Sequence, residues 1–227
     1  LQQAYRGSHD LWQNDFSNVN VTEINGYLHY NSKSLRVSPG LTFTRLGNYI
    51  FFKGDTISDG QRVLPVQSSG QQVIFSPELR LGFTFMRHVT LSTQIIYTKL
   101  LDNPDNAIQI PDLFINAQLS YENIFFNGNL DMHAGVDLHY RSDYYPLGYD
   151  VPIQQFYVQQ QIVPGAIKSP AFPIVDIFFS ARIKRGRIFF KYHNLLQTFS
   201  DQGYMPTPRY PGQRNIIDFG FDWSFYD

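Results

Sequence analysis

Three residues on one segment have the chemistry to hold a metal ion: His133-x-x-x-Asp137-x-His139. On an extended strand they share a face, but residues two apart sit about 6.8 Å from each other and four apart about 13 Å. One strand therefore cannot close a compact coordination sphere, and a neighbouring strand would have to complete it. Solvated side chains on a polar face are the simpler reading. Asp102-Asn103-Pro104-Asp105-Asn106 is rich in oxygen donors; it lacks the ligand spacing of a calcium loop and has the composition of a polar turn. Ser8, His9 and Asp10 are the residue types of a hydrolytic triad, but a triad is a geometry and adjacency does not supply it. Gly40, Gly82, Gly135 and Gly220 are surrounded by no phosphate-loop or dinucleotide pattern, and no G-x-S-x-G, H-E-x-x-H or kinase-type motif occurs. The absence of Cys excludes disulfides and thiolate ligands or nucleophiles. The expectation is a protein without catalytic residues, without a metal and without a cofactor, and so not an enzyme.

The elements that position these residues repeat with a period of two. In Val73–Met86, Val73, Phe75, Leu79, Leu81, Phe83 and Phe85 share one parity, against Ser76, Glu78, Arg80, Gly82 and Thr84. In Leu130–Arg141, Leu130, Met132, Ala134, Val136, Leu138 and Tyr140 alternate with Asp131, His133, Gly135, Asp137, His139 and Arg141. Ile217, Phe219, Phe221, Trp223 and Phe225 alternate with Asp218, Gly220, Asp222 and Ser224. Such alternation marks strands with one apolar and one polar face. It predicts strands at about 19–31, 34–46, 48–55, 71–86, 89–100, 110–122, 128–141, 172–184, 187–197 and 215–226, with a further short one near 3–13. Gly at 40, 82, 135 and 220 then serves barrel curvature or close packing.

The 227 residues carry a net charge of −1, from 18 Lys and Arg against 19 Asp and Glu, so no basic excess points to a nucleic acid. No apolar run approaches the roughly 18 residues of a membrane-spanning helix. Aromatic residues nevertheless reach 16%, and most of the segments have the roughly 9–11 residues of a tilted membrane-spanning strand. Leu1 is not an initiator Met and no charged-then-apolar leader follows it, as in a processed or partial chain.

Connections alternate in length. Short ones fall at Gly47-Asn48, Arg87-His88, Glu122–Asn127 and Lys184–Arg187, long ones at about 56–70, 101–109, 142–171 and 198–214. The tight Ser32-Lys33 turn breaks the rule by falling on the long-loop side. Short turns at one end and long loops at the other describe an outer-membrane barrel. A soluble sandwich also alternates, but its strands are shorter and its edges need protection. In five strands, those above and those at 110–122 and 172–184, no ionised residue occupies the apolar parity. That parity is then lipid-facing and the other is the lumen. The lumen collects Glu78, Arg80, Asp131, Asp137, Arg141, Asp176, Arg182, Lys184, Arg187, Lys191, Asp218 and Asp222, with His133, His139 and His193. A lumen of both signs has no strong ion preference, and a salt-bridged fill of side chains in a narrow barrel fits equally. Tyr27, Tyr30, Tyr49, Tyr97, Tyr121, Tyr140, Tyr144, Tyr145, Tyr192, Trp223 and Tyr226 lie near strand ends, as aromatic girdles do.

Phe219-Gly220-Phe221-Asp222-Trp223-Ser224-Phe225-Tyr226-Asp227 resembles the terminal strand by which the barrel-assembly machinery recognises bacterial outer-membrane proteins, with Gly220, Trp223 and Phe225 at the signal positions. More of the chain carries a second resemblance. Tyr144-Tyr145-Pro146-Leu147-Gly148-Tyr149-Asp150-Val151-Pro152 leads to Phe156-Tyr157-Val158-Gln159. Phe172-Pro173-Ile174-Val175-Asp176-Ile177-Phe178 and Lys184-Arg185-Gly186-Arg187-Ile188-Phe189-Phe190-Lys191-Tyr192 follow. Pro206-Thr207-Pro208-Arg209-Tyr210-Pro211-Gly212-Gln213-Arg214 then precedes the terminal strand. In this order these segments resemble the C-terminal region of the putative porins of Bacteroidota, clearly from about residue 110 onward; members are generally longer. The final loop and strand also resemble those of TonB-dependent receptors, without the accompanying plug domain or TonB box.

The expected fold is all-β: an antiparallel up-and-down transmembrane β-barrel of about ten visible strands, residues 1–227 forming one barrel domain or the C-terminal part of one. Its place is the cell outer membrane, with the C-terminus and short turns periplasmic and the long loops extracellular. Two functions fit. One is a passive channel for small hydrophilic solutes; the other is a non-conducting structural or accessory barrel subunit of an outer-membrane protein complex. The partners to expect are outer-membrane lipid, the barrel-assembly machinery and other envelope proteins.

Overall fold

The computed structural model describes residues 3–7, 11–57, 60–159, 165–200 and 203–225. Nine strands cross one antiparallel sheet in chain order: β1 (Asn20–Tyr27), β2 (Leu35–Gly47), β3 (Gln72–Phe85), β4 (Val89–Tyr97), β5 (Leu113–Phe125), β6 (Leu130–Arg141), β7 (Ile174–Ile183), β8 (Gly186–His193) and β9 (Ile216–Trp223). Short strands Tyr30–Asn31 and Lys99–Asp102 add to β2 and β3. Each main strand pairs with the next, which is the meander of an up-and-down barrel wall. The expected closure of the terminal strand onto the first is not made among the described residues, where β1 and β9 each have one main-strand neighbour.

The register turns the alternation into two continuous surfaces. Leu35, Phe83, Leu91, Leu119, Val136, Ile177, Tyr192 and Ile217 are successive cross-strand partners, an apolar row crossing eight strands. One residue along, Arg36, Gly82, Ser92, Gln118, Asp137 and Asp176 form a polar row on the other face. The apolar row is exposed to the surroundings rather than packed; Leu119, Val136, Ile177 and Ile217 are all more than a third accessible. From Leu130 to Tyr140 the outward residues of β6 cover about 34 Å of strand, or about 25 Å at a barrel tilt near 40°, the height of a lipid-facing band. Tyr97, Tyr140 and Tyr192 cap it at one end, Tyr121 and Trp223 at the other. Tyr27 leaves the expected girdle and turns to the polar face, where its hydroxyl donates to Glu78.

The largest departure from expectation is residues 48–55. They do not add a strand to the sheet, because β2 pairs directly with β3. Instead Ile50–Ile57 pairs with Gly60–Gln67 in a separate hairpin. Phe51 and Phe52 are adjacent and both buried, so this hairpin is covered on both sides. Phe52 packs with Trp12, Val63 and Ile153, and Phe51 with Ala107 and Val158. A barrel strand covers one side with lipid and the other with water, and cannot bury two consecutive rings. With this hairpin removed from the count, the Ser32-Lys33 turn joins Met86–His88, Phe126–Asn129 and Lys184-Arg185 at one end of the sheet. Gly47-Asn48 is no turn of that set; it is where the chain leaves for the long connection at the other end. At the 86–88 turn Met86 and Arg87 both take left-handed φ of 51° and 61°, the twist-matched turn geometry that usually selects Asn or Gly.

The long connections assemble into a cap. Besides the 50–67 hairpin it holds a hairpin of Gly148–Asp150 and Gln155–Tyr157, and the pair Ala4–Arg6 with Leu11–Gln13, near the expected 3–13 strand. The Val158 amide donates to the Phe52 carbonyl at 2.8 Å, tying two connections together. Gln109 and Gln159 tie two more, the Gln109 side-chain amide donating to the Gln159 carbonyl at 2.7 Å and the Gln159 backbone amide donating back at 3.1 Å. Ser8, His9 and Asp10 lie outside the described residues, as do Tyr226 and Asp227.

Candidate functional site: the polar face of the sheet

The polar row borders a trough of about 880 Å³, lined from Arg36 and Arg80 on one side to Asp137 and Lys191 on the other. Its charged residues fall into groups set by register. Asp137 and Asp176 are direct cross-strand partners, a like-charge pairing that destabilises unless compensated. Lys191 compensates: its Nζ lies 3.1 Å from Asp137 Oδ2 and 3.2 Å from Asp176 Oδ2. His193 extends the chain, with Nδ1 3.0 Å from Asp176 and Nε2 2.9 Å from Asp218. Gln118 donates to Asp137 at 2.8 Å, and the Asn194 amide to Asp176 at 2.9 Å. Asp137, Lys191, Asp176, His193 and Asp218 thus form one linked chain from β6 to β9, and Asp176, the most enclosed of the carboxylates, is fully partnered.

A second group centres on Glu78, which accepts from Arg80, from Gln94 at 2.6 Å and from the Tyr27 hydroxyl at 3.1 Å, with the Arg80 guanidinium over the Tyr27 ring. A third lies at the short-turn end. There Arg182 reaches Asp131 at 3.0 Å, Arg187 donates to Ser180 at 3.0 Å, and His133 lies 3.4 Å from Glu122. Asp222 is the cross-strand partner of Arg187. At the opposite mouth Arg141 sits between the rings of Tyr144 and Tyr204 and donates to the hydroxyls of Tyr144 and Ser169. His139 pairs with Asn116 at 2.6 Å. The candidate ligands His133, Asp137 and His139 therefore go to three different partners. Among the described residues no group of three or more His, Asp or Glu is arranged to hold a metal.

Large rings also stand on the polar face, which the alternation did not reveal. Phe178 is the direct partner of Gly135 and Phe189 of Gly220. A Cβ on Gly135 would lie 2.4 Å from the Leu119 carbonyl oxygen and 2.7 Å from the Phe178 ring; one on Gly220 would lie 2.4 Å from the Phe189 ring. Each glycine is the floor on which a neighbouring ring lies flat. Tyr27 opposite Gly40 repeats the arrangement. The signal available in sequence was a Phe on the polar parity with an unexplained strand Gly elsewhere; only the register joins them. Of the three terminal residues singled out, Gly220 and Trp223 lie in β9, Trp223 opposite Gly186 on the outward face. Phe225 lies beyond the strand, after the Ser224 amide makes a last bond to the Arg185 carbonyl.

The 102–106 segment is a turn whose carboxylate is committed within the cap. Asp105 accepts from the Ser69 amide and hydroxyl, both at 3.1 Å, and from the Ser68 hydroxyl at 3.3 Å. The Ser69 amide first, then the two hydroxyls and the charge of Lys53, hold the Asp105 carboxyl below its ordinary pKa against the opposing effect of burial. Lys168 does the same for Asp143 through a charge-assisted hydrogen bond.

A family model described as Putative porin matches residues 1–227. No curated protein matches. Among solved structures, the copper transporter OprC superposes with a TM-score of 0.68 at 16% identity, covering 91% of this chain and 31% of its own. The siderophore receptor PirA from Acinetobacter baumannii gives 0.62 at 12% identity, covering 94% and 33%. The FrpB iron transporter from Neisseria meningitidis (F3-3 variant) gives 0.62 at 11%, covering 92% and 31%. At such identities the likeness is one of fold, that of an outer-membrane β-barrel. The chain spans about a third of the length of the solved structures it matches.

Proposed function

Since the chain belongs to the Putative porin family, it is an outer-membrane β-barrel protein, and we propose that its polar face lines a passive route for small hydrophilic solutes. The observation that carries this reading is the polar row from Arg36 to Asp176 backing, residue for residue, onto the outward apolar row and bordering an open trough. The lumen-facing set is Glu78, Arg80, Asp131, His133, Asp137, His139, Arg141, Asp176, Arg182, Lys191, His193, Asp218 and Asp222. Much of its charge is paired internally, so the route has weak selectivity between cations and anions. None of these residues takes a catalytic role in this reading. Residues 1–227 act as one barrel domain or as the C-terminal part of one, with short turns periplasmic and the cap extracellular. Gly220, Trp223 and Phe225 serve recognition by the barrel-assembly machinery.

A second reading, an accessory barrel in an outer-membrane complex, is favoured by the cap. Val151, Phe156 and Tyr210 are exposed there, and the Tyr149 ring contacts the last two, tilted against Phe156 and edge-on to Tyr210. Conductance separates the two. Purified full-length protein in planar bilayers is expected to give weakly selective steps. Folded, heat-modifiable protein that never conducts would reject the channel and leave the accessory role.

A further inference from the structure

We propose that the outer wall of the sheet carries a docking site for the phosphate-bearing headgroup of a membrane lipid, centred on Arg45. On the outward parity of β1–β9, Arg45 is the one ionised side chain among the described residues. Its cross-strand partners, Thr22 on β1 and Val73 on β3, share that parity. Lipid penalises a charge on this face by an amount that depends on depth, and Arg45 sits where the penalty ends. Two residues nearer the middle of the wall, about 6.8 Å along the strand, the outward positions are Phe43 and Ile24. Level with Arg45 and beyond it they are Thr22, Asn20 and Gly47. On β1 and β2 the wall changes from apolar to polar within one step, while Val73 on β3 stays apolar at that level.

A pocket of about 600 Å³ opens at that step, lined by Asn20, Thr22, Arg45, Asn48, Ser69 and Gln71 with the glycines beside them. Arg45 Nε donates to Gln71, which orients the guanidinium. Its terminal nitrogens have no partner among the described residues. A planar fork held by one edge and open at the other is the arrangement that grips two oxygens of a phosphate. The Thr22 hydroxyl, the Asn20 side-chain amide and the second N–H of the Asn48 amide, whose first donates to the Asn18 carbonyl, supply donors for the rest of a tetrahedral anion; the Ser69 hydroxyl is already committed to Asp105. Lys99, opposite Phe75 on the same parity and at the same end, adds a second cation across β3. Asp102 follows opposite Val73 after a register break, so the positive side of the patch lies toward β1 and β2.

The occupant is a lipid because the pocket is continuous with the apolar wall. Ile24 and Leu41, directly below it, are 68% and 46% exposed. An amphiphile with its phosphate at Arg45 lays its chains on Ile24, Leu41 and Phe43. A free anion has no use for that wall. The proposal does not depend on whether the polar face conducts.

The test is native mass spectrometry of the full chain released from detergent, titrated with a phosphorylated glycolipid, with the same lipid stripped of phosphate, and with inorganic phosphate as competitor. One phosphorylated lipid is expected to bind, the dephosphorylated form about tenfold more weakly. Arg45→Gln should lower affinity for the phosphorylated lipid about tenfold and leave the dephosphorylated form unchanged. Arg45→Lys keeps the charge and loses the fork, and should fall between. Thr22→Val, a change of one hydroxyl, should weaken binding about threefold and serves if Arg45→Gln misfolds. Equal affinity of wild type and these variants, equal binding of both lipid forms, or displacement of the lipid by millimolar phosphate would each overturn the proposal.

Discussion

The sheet and the cap solve the hydrophobic problem in opposite ways with the same residue types. In β1–β9 most apolar side chains point outward, Phe178 and Phe189 being among the exceptions, and Ala181 is the one buried hydrophobic residue there among those described. In the cap, Trp12, Phe52, Val63 and Ile153 form one small core and Phe51, Ala107 and Val158 another. Lipid takes the place of a core for the sheet; the cap stands in water and must build its own. The difference is visible in what covers consecutive phenylalanines. On β8, Phe189 and Phe190 point to opposite faces and stay 40% and 38% exposed, whereas Phe51 and Phe52 of the cap are both buried. In the sheet one ring of such a pair meets lipid and the other the trough; in the cap both need protein cover.

The comparison breaks most sharply at the middle of the apolar row. Ile177→Arg or Val136→Arg should destabilise the folded state in bilayers by about 2–4 kcal/mol if the site lies near the midplane. Thr42→Arg, on the polar parity, should cost well under half of that. Denaturant titration of protein folded into vesicles gives the difference, and equal costs at both faces would reverse their assignment. In the cap, Phe52→Ala opens a cavity in a cluster of few members and should cost about 3 kcal/mol, the low end for such truncations. That loss should be local. Hydrogen exchange across 50–67 should accelerate while heat-modifiable mobility of the barrel is unchanged. If Phe52→Ala instead prevents barrel folding, the cap is part of the same cooperative unit as the sheet.

Much of the sheet was legible in sequence because one-face burial writes itself into alternate positions, as in Leu130–Arg141, where every odd and even residue has the face its type predicts. Segment 48–55 was misread because a two-sided hairpin and a barrel strand have the same length and β-propensity; what separates them is whether both faces are covered, which depends on Trp12, Ile153 and Val158 far along the chain. The charged members of the polar face were legible for the same reason as the strands. Their partners were not. That Asp137 faces Asp176, and needs Lys191 between them, follows from the register of β6 on β7, which no local pattern specifies. Phe178 and Phe189 read as errors in the alternation until Gly135 and Gly220 are set opposite them.

Those glycines allow a finer test within the sheet. Gly135→Ala drives a methyl against the Leu119 carbonyl, part of the backbone, as well as the Phe178 ring. Neither strand can yield without disturbing the ladder, and a cost of about 1–3 kcal/mol is expected. Gly220→Ala meets only the Phe189 ring, which can swing toward the trough, so the cost should be smaller, about 1 kcal/mol or less. Vesicle-folded stability of the two variants ranks them. The reverse order would mean that Gly220 matters for something other than packing, and recognition during assembly would be the first place to look.

The smallest expected effect lies at the seam between the 50–67 hairpin and the 104–106 turn. Asp105 is exposed, so its hydrogen bonds to Ser68 and Ser69 are screened by solvent and together contribute at most about 1 kcal/mol. Their pH dependence has a definite sign. The bonds hold the folded-state pKa below the ordinary value, which is near 3.9 for an unfolded aspartate. The unfolded seam therefore binds a proton first as pH falls, and the stabilisation is complete above about pH 4 and disappears as pH drops through the folded value. Exchange of the Ser69 amide should accelerate over that acid range and stay constant from pH 5 to 8, once corrected for the intrinsic base-catalysed rate. Asp105→Asn removes the titrating group, and its Ser69 amide should exchange faster at neutral pH with no further acid step. An acid step that survives in Asp105→Asn would place the titration on another group, and the seam would then be held by the Gln72 bonds to Ser68 and the Pro104 carbonyl instead.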